Sequence, residues 1–305
     1  MVLTLDFSIF HEFSLGFYPG IFAVLLVGFF VGYLASFLGI GGGFVYTPFF
    51  HSFFHLSAVQ AVAVSLAQMP LSALSGLIVY FKNDKVRWRE GLLLLVTSIP
   101  SAQYIAWKFG RFEDTELGRT IYYGMPVSEL VYLFVFTVFL GILGIYNLLS
   151  AFRKRKQWYL QKDLPPEEKT AKRSYNPDLI FSLRPILVVL ATGVAFGLFS
   201  SILGIGGGFL AVPLFVYYFK MEPVEAVATS FLGIFITSFG TSVLFYLEGK
   251  LHLDLALVGT IGGFFGARVG SLKAVQTRPY TILMVLGSSQ LIVVSWYILG
   301  KLLRL

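Results

Sequence analysis

The chain has 305 residues, 56% of them apolar and only 13% charged, with a mean hydropathy of +0.78. Soluble domains run at about 25% charged residues, so this composition excludes a pair of ordinary water-soluble domains and describes a polytopic membrane protein. A net charge of +7 would raise nucleic acid as a partner in a soluble protein. Here the basic residues gather in the connections, where they set orientation in the bilayer, and no nucleic-acid partner is expected. With no cysteine, disulfides, thiolate nucleophiles and cysteine metal clusters are impossible. No basic region precedes the first apolar run, so no cleavable signal peptide is expected.

The apolar runs follow in order as 20–38, 44–54, 58–81, 91–109 and 130–151, then 186–203, 209–219, 224–247, 255–274 and 280–300. Most hold about 20 residues, enough to cross ~30 Å of hydrocarbon as helix. The runs 44–54 and 209–219 are short, and each follows a glycine cluster. They are expected to be short, broken segments. Residues 152–185 carry Arg153, Lys154, Arg155 and Lys156, then Pro165-Pro166, and predict a cytoplasmic linker between a first membrane repeat, 1–151, and a second, 186–305.

The two halves are copies. A shift of 165 places lays Gly39-Ile40-Gly41-Gly42-Gly43-Phe44 on Gly204-Ile205-Gly206-Gly207-Gly208-Phe209. The same register pairs Gly28 with Gly193, Gly32 with Gly197, Ser36 with Ser201, Pro48 with Pro213 and Ser65 with Ser230. Duplicated halves are a habit of secondary transporters. Charge predicts their relation. Residues 1–20 hold Asp6 and Glu12 and no Lys or Arg, while 82–90 holds Lys82, Lys85, Arg87 and Arg89. The start is then outside and the loop inside, which requires three crossings between them and therefore five per half. The fold expected is an all-α membrane protein of two inverted repeats in the plasma membrane, both termini outside.

Three consecutive glycines are poor helix formers, each costing about 0.8–1 kcal/mol relative to Ala. Unpaired backbone at membrane depth is tolerated only where protein or a wet cavity satisfies it. The short helix after each cluster points its N–H groups and positive dipole end at whatever lies before it. Gly39, Gly41, Gly42 and Gly43 with Gly204, Gly206, Gly207 and Gly208 are thus the candidate substrate-binding main chain, converging on one anion site. Close helix packing alone accounts better for Gly28/Gly32, Gly193/Gly197 and the Gly262, Gly263, Gly266, Gly270 series. Nucleotide readings fail: neither cluster carries the Lys-Ser/Thr of a phosphate-binding loop.

Carboxylates are scarce in the membrane runs. Glu225 comes nearest and its repeat partner is Gln60, so an anionic or neutral substrate is favoured over a cation. Ser65, Gln68, Thr229 and Ser230 are neutral hydrogen-bonding groups suited to an oxyanion that must be released again; Ser36, Gln103 and Ser201 share this character. Arg268 can either pair a substrate charge or snorkel to the interface. His51 and His55 have Val216 and Lys220 as repeat partners, so no duplicated metal or proton site is expected. Neither a metal, a cofactor nor a catalytic set is expected, and a membrane enzyme is disfavoured.

The paired Gly-Ile-Gly-Gly-Gly runs, each followed by a proline (Pro48, Pro213), resemble the signature of the sulfite exporter TauE/SafE family. Val59-Gln60-Ala61-Val62-Ala63-Val64-Ser65, its copy Val224-Glu225-Ala226-Val227-Ala228-Thr229-Ser230, and Gly263-Phe264-Phe265-Gly266-Ala267-Arg268-Val269-Gly270 are similar to that family as well. The likeness covers both halves and omits the 110–129 loop, the central linker and the termini. It implies a permease moving a sulfur-containing anion such as sulfite or an organosulfonate, usually outward. Proton-coupled uptake of another small anion and a non-transporting membrane scaffold are the alternatives. The partners expected are a small anionic substrate and the lipid bilayer; the oligomeric state is open.

Overall fold

In the computed structural model, which describes residues 9–10, 16–122, 124–161 and 182–302, every one of the ten apolar runs is helical. In chain order the helices are α1 (Phe17–Leu38), α2 (Gly43–Phe53), α3 (Ala58–Lys82), α4 (Trp88–Asp114), a single turn α5 (Glu116–Arg119), α6 (Val127–Gln161), α7 (Leu183–Leu203), α8 (Gly208–Pro213), α9 (Pro223–Leu247), α10 (Leu253–Val275) and α11 (Pro279–Leu302). A two-residue antiparallel pair, β1 (Ile121–Tyr122) with β2 (Met125–Pro126), caps the 110–129 connection. Among the described residues seven helices, α1, α3, α6, α7, α9, α10 and α11, are long and apolar enough to cross a membrane. The basic run 153–156 continues α6 to Gln161. The rest of the expected linker, 162–181, lies outside the described residues, as do Asp6, Glu12 and Arg304.

Equivalent boundaries have equivalent causes in both halves. α1 and α7 end at Gly39 (φ 75°) and Gly204 (φ 68°), left-handed caps whose N–H groups donate to the Ala35 and Ser200 carbonyls. Only glycine takes that conformation readily. α3 and α9 open with capping boxes, Ser57 with Gln60 and Glu222 with Glu225, which satisfy otherwise orphaned N–H groups. The short segments differ. α2 is continuous through Pro48, whereas α8 stops at Pro213 and continues as a π turn over Leu214–Tyr218. The broken character predicted for both is therefore seen only in the second.

Each half packs on the other. α1 runs beside α10 in the same direction, Gly28 against Gly259 and Gly32 against Gly263, while Gly266 and Gly270 meet the main chain of Phe29 and Tyr33. Their repeat mates do likewise: Gly193 and Gly197 of α7 lie on the Leu94 and Ser98 carbonyls of α4. Lipid offers no hydrophobic drive for helix association, so small residues that admit close van der Waals contact do this work. At the centre α3 and α9 cross antiparallel, with the Tyr80 and Phe231 rings 5.9 Å apart. α6 and α11 are also antiparallel, joined by Phe136 and Tyr297 (5.6 Å) and by Asn147 donating to Gln290 Oε1 at 3.0 Å. Apolar side chains such as Phe22, Phe30, Phe134 and Ile142 cover the exposed faces, as a lipid-facing surface requires.

The connections sort to two faces. The near face carries the 54–57, 115–126 and 248–252 connections; the far face carries 83–87 and 219–222. On the near face Lys250 bridges Glu113 (3.1 Å) and Asp114 (2.9 Å). Burial pulls the Lys250 ammonium down, but its hydrogen bonds to Asp114 and Glu113 outweigh this and raise it. The Asp114 carboxyl is held low by Lys250 and then Arg119. The depressed Asp114 contributes stability above its ordinary value of 3.8, lost as pH falls through the folded value. The raised Lys250 contributes fully below 10.5 and loses its share as pH rises through the folded value. Lys250→Met should lower stability by about 1 kcal/mol across the intervening range and flatten the alkaline limb, read from thermal melts in detergent at stepped pH. An alkaline limb equal to wild type would show the bridge to be idle.

Candidate functional site

The two glycine loops meet, main chain on main chain, inside the bundle. Gly41 lies on the Ile205 carbonyl, Gly43 on that of Gly204, and Gly208 on that of Gly39. Ser65 Oγ donates to the Gly204 carbonyl at 3.0 Å and Ser230 Oγ to the Gly39 carbonyl at 2.9 Å. Each half thus holds the loop of the other through the same repeat position. Further positive φ angles occur at Gly41 (83°), Gly206 (86°) and Gly207 (71°). Symmetry fails at one step: Gly42 has φ −93° and leans on Val31, whereas Gly207 leans on the ring of Phe196. Among the described residues the N–H groups of Gly41–Gly43 and Gly206–Gly208 have no hydrogen-bond acceptor, although all six residues are buried. Buried N–H groups are nearly always paired, so this cluster of unpaired donors marks a place suited to a negative charge.

Where they meet, the loops are in direct main-chain contact. A cavity of about 10 Å³ beside them is lined by Gly41, Gly42, Tyr46, Met69, Ser72 and Phe231, and one of about 40 Å³ lies among Ile40, Phe209, Pro213 and Asn147. The loops are closed on each other in this conformation.

The predicted side chains divide. Ser65 and Ser230 touch the loops and are fully buried. Gln68, also fully buried, packs on Gly259, and neither atom of its amide has a partner. Thr229 is engaged elsewhere: it donates to the Glu225 carbonyl (2.7 Å) and accepts from the Arg87 N–H (3.0 Å). The second half therefore brings one hydroxyl, that of Ser230, to the loops, not the Thr-Ser pair its sequence suggests. Arg268 is exposed on α10, one residue beyond Ala267 in the wall of the 10 Å³ cavity. Gln103 is exposed, and Ser201 donates to the Ala102 carbonyl at 2.7 Å. Ser65→Ala and Ser230→Ala should each cost about 1 kcal/mol, and the double variant about the sum. Unchanged melting temperatures in detergent would remove these bonds from the account.

Two contacts escape sequence reasoning. Glu225, the acid nearest a membrane run, is ion-paired with Arg87 on the far face, beside Lys85 and Glu222 at 3.1 Å. His51 Nε2 lies 3.7 Å from Glu129 Oε2 on the near face. The spacing of charges along the chain contains no signal for either, since the partners are more than 70 residues apart.

A bundle of apolar helices, built twice and closed around paired interior loops, defines a polytopic membrane transporter. The chain belongs to the sulfite exporter TauE/SafE family, whose profile matches residues 23–296. It is 28% identical over 276 residues to the probable membrane transporter protein YunE of Bacillus subtilis, covering 87% of this chain and 93% of that one. A probable membrane transporter protein of Methanocaldococcus jannaschii is 23% identical, with 87% and 90% covered. Another, from Xylella fastidiosa, is 24% identical, with 81% and 82% covered. These relatives are named as transporters, and the chain is a permease and not an enzyme. No solved structure matches it.

Proposed function

We propose that the protein is an inverted-repeat secondary transporter of the plasma membrane that exports a small sulfur-containing anion, such as sulfite or an organosulfonate. The observation that carries this reading is the cluster of unpaired, buried N–H groups where the loops of the two halves meet. Donors without fixed positive charge bind an oxyanion and release it again. Gln68, with both amide atoms unpartnered, is the polar side chain best suited to join them. Arg268, exposed on α10, is assigned to the interface instead.

Inversion is supported by direction. α1 and α10 run together while α3 and α9 oppose, α7 runs along α4, and α6 brings Lys154 over the Tyr217 ring at the end of the second short segment. We read five membrane segments per half, the short α2 and the α8–π segment among them, with the near face outside, the 152–185 linker cytoplasmic and the repeats 1–151 and 186–305. Export of an anion runs with an inside-negative potential, about 2.3 kcal/mol per charge per 100 mV.

The test is efflux of sulfite and of ethanesulfonate from proteoliposomes under an imposed potential. An inside-negative potential should accelerate efflux of at least one. Gly42→Ala, whose Cβ would press on Val31 Cγ1 and the Tyr46 ring but meets no main chain of the opposite loop among its nearest neighbours, at a φ that alanine accepts, should lose flux at least tenfold, with its melting point read alongside to separate lost transport from lost fold. Undiminished flux in a folded Gly42→Ala would sink the loop site.

A further inference from the structure

We propose that His51 and Glu129 form a proton-binding site on the near face, and that its occupancy is transmitted to the glycine loops through α2. The coupling half of this proposal rests on the transport reading above; the proton site does not.

The geometry defines which nitrogen takes the proton. His51 Nδ1 lies 2.7 Å from the Leu56 carbonyl. A carbonyl can only accept, so Nδ1 carries hydrogen and donates. Nε2 is then the basic nitrogen, and it faces Glu129 Oε2 at 3.7 Å. That separation is long for a hydrogen bond and suits an ion pair that forms when Nε2 is protonated. Glu129 is reached from water: with Ser57, Gln60, Glu113, Arg119 and Ser128 it lines an open cavity of about 310 Å³.

The charged and titratable groups around the imidazole are contributed by several elements. Glu129 comes from α6, and behind it in the cavity stand Glu113 and Asp114 of α4 and Arg119 of α5. Tyr297 of α11 places its ring 5.9 Å from the imidazole. Two features favour imidazolium: the Glu129 charge and the position of His51 in the last turn of α2, the negative end of the helix dipole; Glu113 and Asp114 are balanced by Lys250 and Arg119. Burial of the side chain, only 4% exposed, opposes it.

The route to the loops is a single helix face. Gly43, Thr47 and His51 stand four residues apart and so on one side of α2. Gly43 packs on the Gly204 carbonyl, and Thr47 Oγ1 donates to the neighbouring Leu203 carbonyl at 3.4 Å. A proton passing from cavity water to Nε2 draws the end of α2 toward α6 and moves Thr47 and Gly43 with it. In the other half the equivalent positions are Gly208, Val212 and Val216, so the device exists only once and breaks the equivalence of the repeats.

The chain has four histidines, so nitrogen-15 histidine NMR in lipid nanodiscs isolates this one. His51→Asn, whose amide can still donate to Leu56, identifies the signal. The wild-type resonance should report hydrogen on Nδ1 at pH 8 and gain a second on Nε2 by pH 5. Glu129→Gln, which keeps the shape and removes the charge, should reduce the imidazolium fraction at pH 6 by about tenfold. If His51→Asn does not fold, comparison of wild type with Glu129→Gln still identifies the perturbed signal. A His51 resonance unchanged from pH 8 to 5, or one indifferent to Glu129→Gln, overturns the site. Ethanesulfonate flux, whose substrate does not titrate here, should change at least threefold between near-face pH 8 and 5 and become flat in Glu129→Gln. Flux independent of pH in wild type overturns the coupling. Absence of any flux counts against the substrate reading, while the NMR still decides the proton site.

Discussion

Replacing Gly43 by alanine should destabilise the protein by about 3 kcal/mol and abolish transport. The added Cβ would overlap the Gly204 carbonyl oxygen and come within 2.8 Å of Ser65 Oγ. The obstruction is main chain of the opposite loop, held in place by the Ser65 bond, so no rotamer change relieves it. Overpacking of this kind costs about 1–3 kcal/mol, and the upper figure applies where backbone must move. Gly141, in the middle of α6, is the control. Nothing lies within 4 Å of a Cβ built there, so Gly141→Ala should be neutral or stabilising by up to about 1 kcal/mol through helix propensity. Thermal unfolding in one detergent reads both. A Gly43→Ala melting point equal to that of Gly141→Ala would mean that the loops do not touch.

The second large effect is expected at the far face. Glu225 is 8% exposed as a side chain and is ion-paired with Arg87, itself 36% exposed. Removing the arginine leaves a buried carboxylate without its charge partner, a change that costs about 3–5 kcal/mol in a dry interior. Because Arg87 is partly solvated, Arg87→Ala should fall at the low end, about 3 kcal/mol. Glu225→Gln keeps the shape of the capping box with Glu222 and should cost less. The double variant should be close to Glu225→Gln alone, because the burden of Arg87→Ala is the stranded acid. A double-mutant cycle by thermal or denaturant unfolding measures this. Strict additivity would show that the two charges do not interact. This ion pair has no mirror image: the repeat equivalents of Glu225 and Arg87 are Gln60 and His252, and Gln60 lines the open cavity of the near face. The far face is clamped where the near face is wet.

Much of this architecture was legible along the chain. Ten apolar runs became ten helices, because a run of about 20 apolar residues in lipid can satisfy its backbone only as helix. The glycine loops ended α1 and α7 where expected, because a left-handed cap is a local demand that the glycine itself answers. What escaped was local as well as distant. The 110–129 connection gained α5 and a small hairpin, and α8 broke at Pro213 while α2 ran through Pro48, since a proline's effect depends on whether neighbouring packing supports the freed carbonyl. Of the candidate side chains, Ser65 and Ser230 lie at the loops, Thr229 is tied to Arg87, and Arg268 faces outward.

The sequence by itself determined the membrane class, the duplication, the helices and the two glycine loops, because each follows from composition or from repetition at fixed register. Only the tertiary structure decided that the loops touch, that Arg87 pairs with Glu225, and that His51 looks at Glu129. Those contacts join residues far apart in the chain. They depend on the rotation of each helix about its axis, which is set by packing glycine against foreign backbone and is not encoded in the order of residues along any one segment.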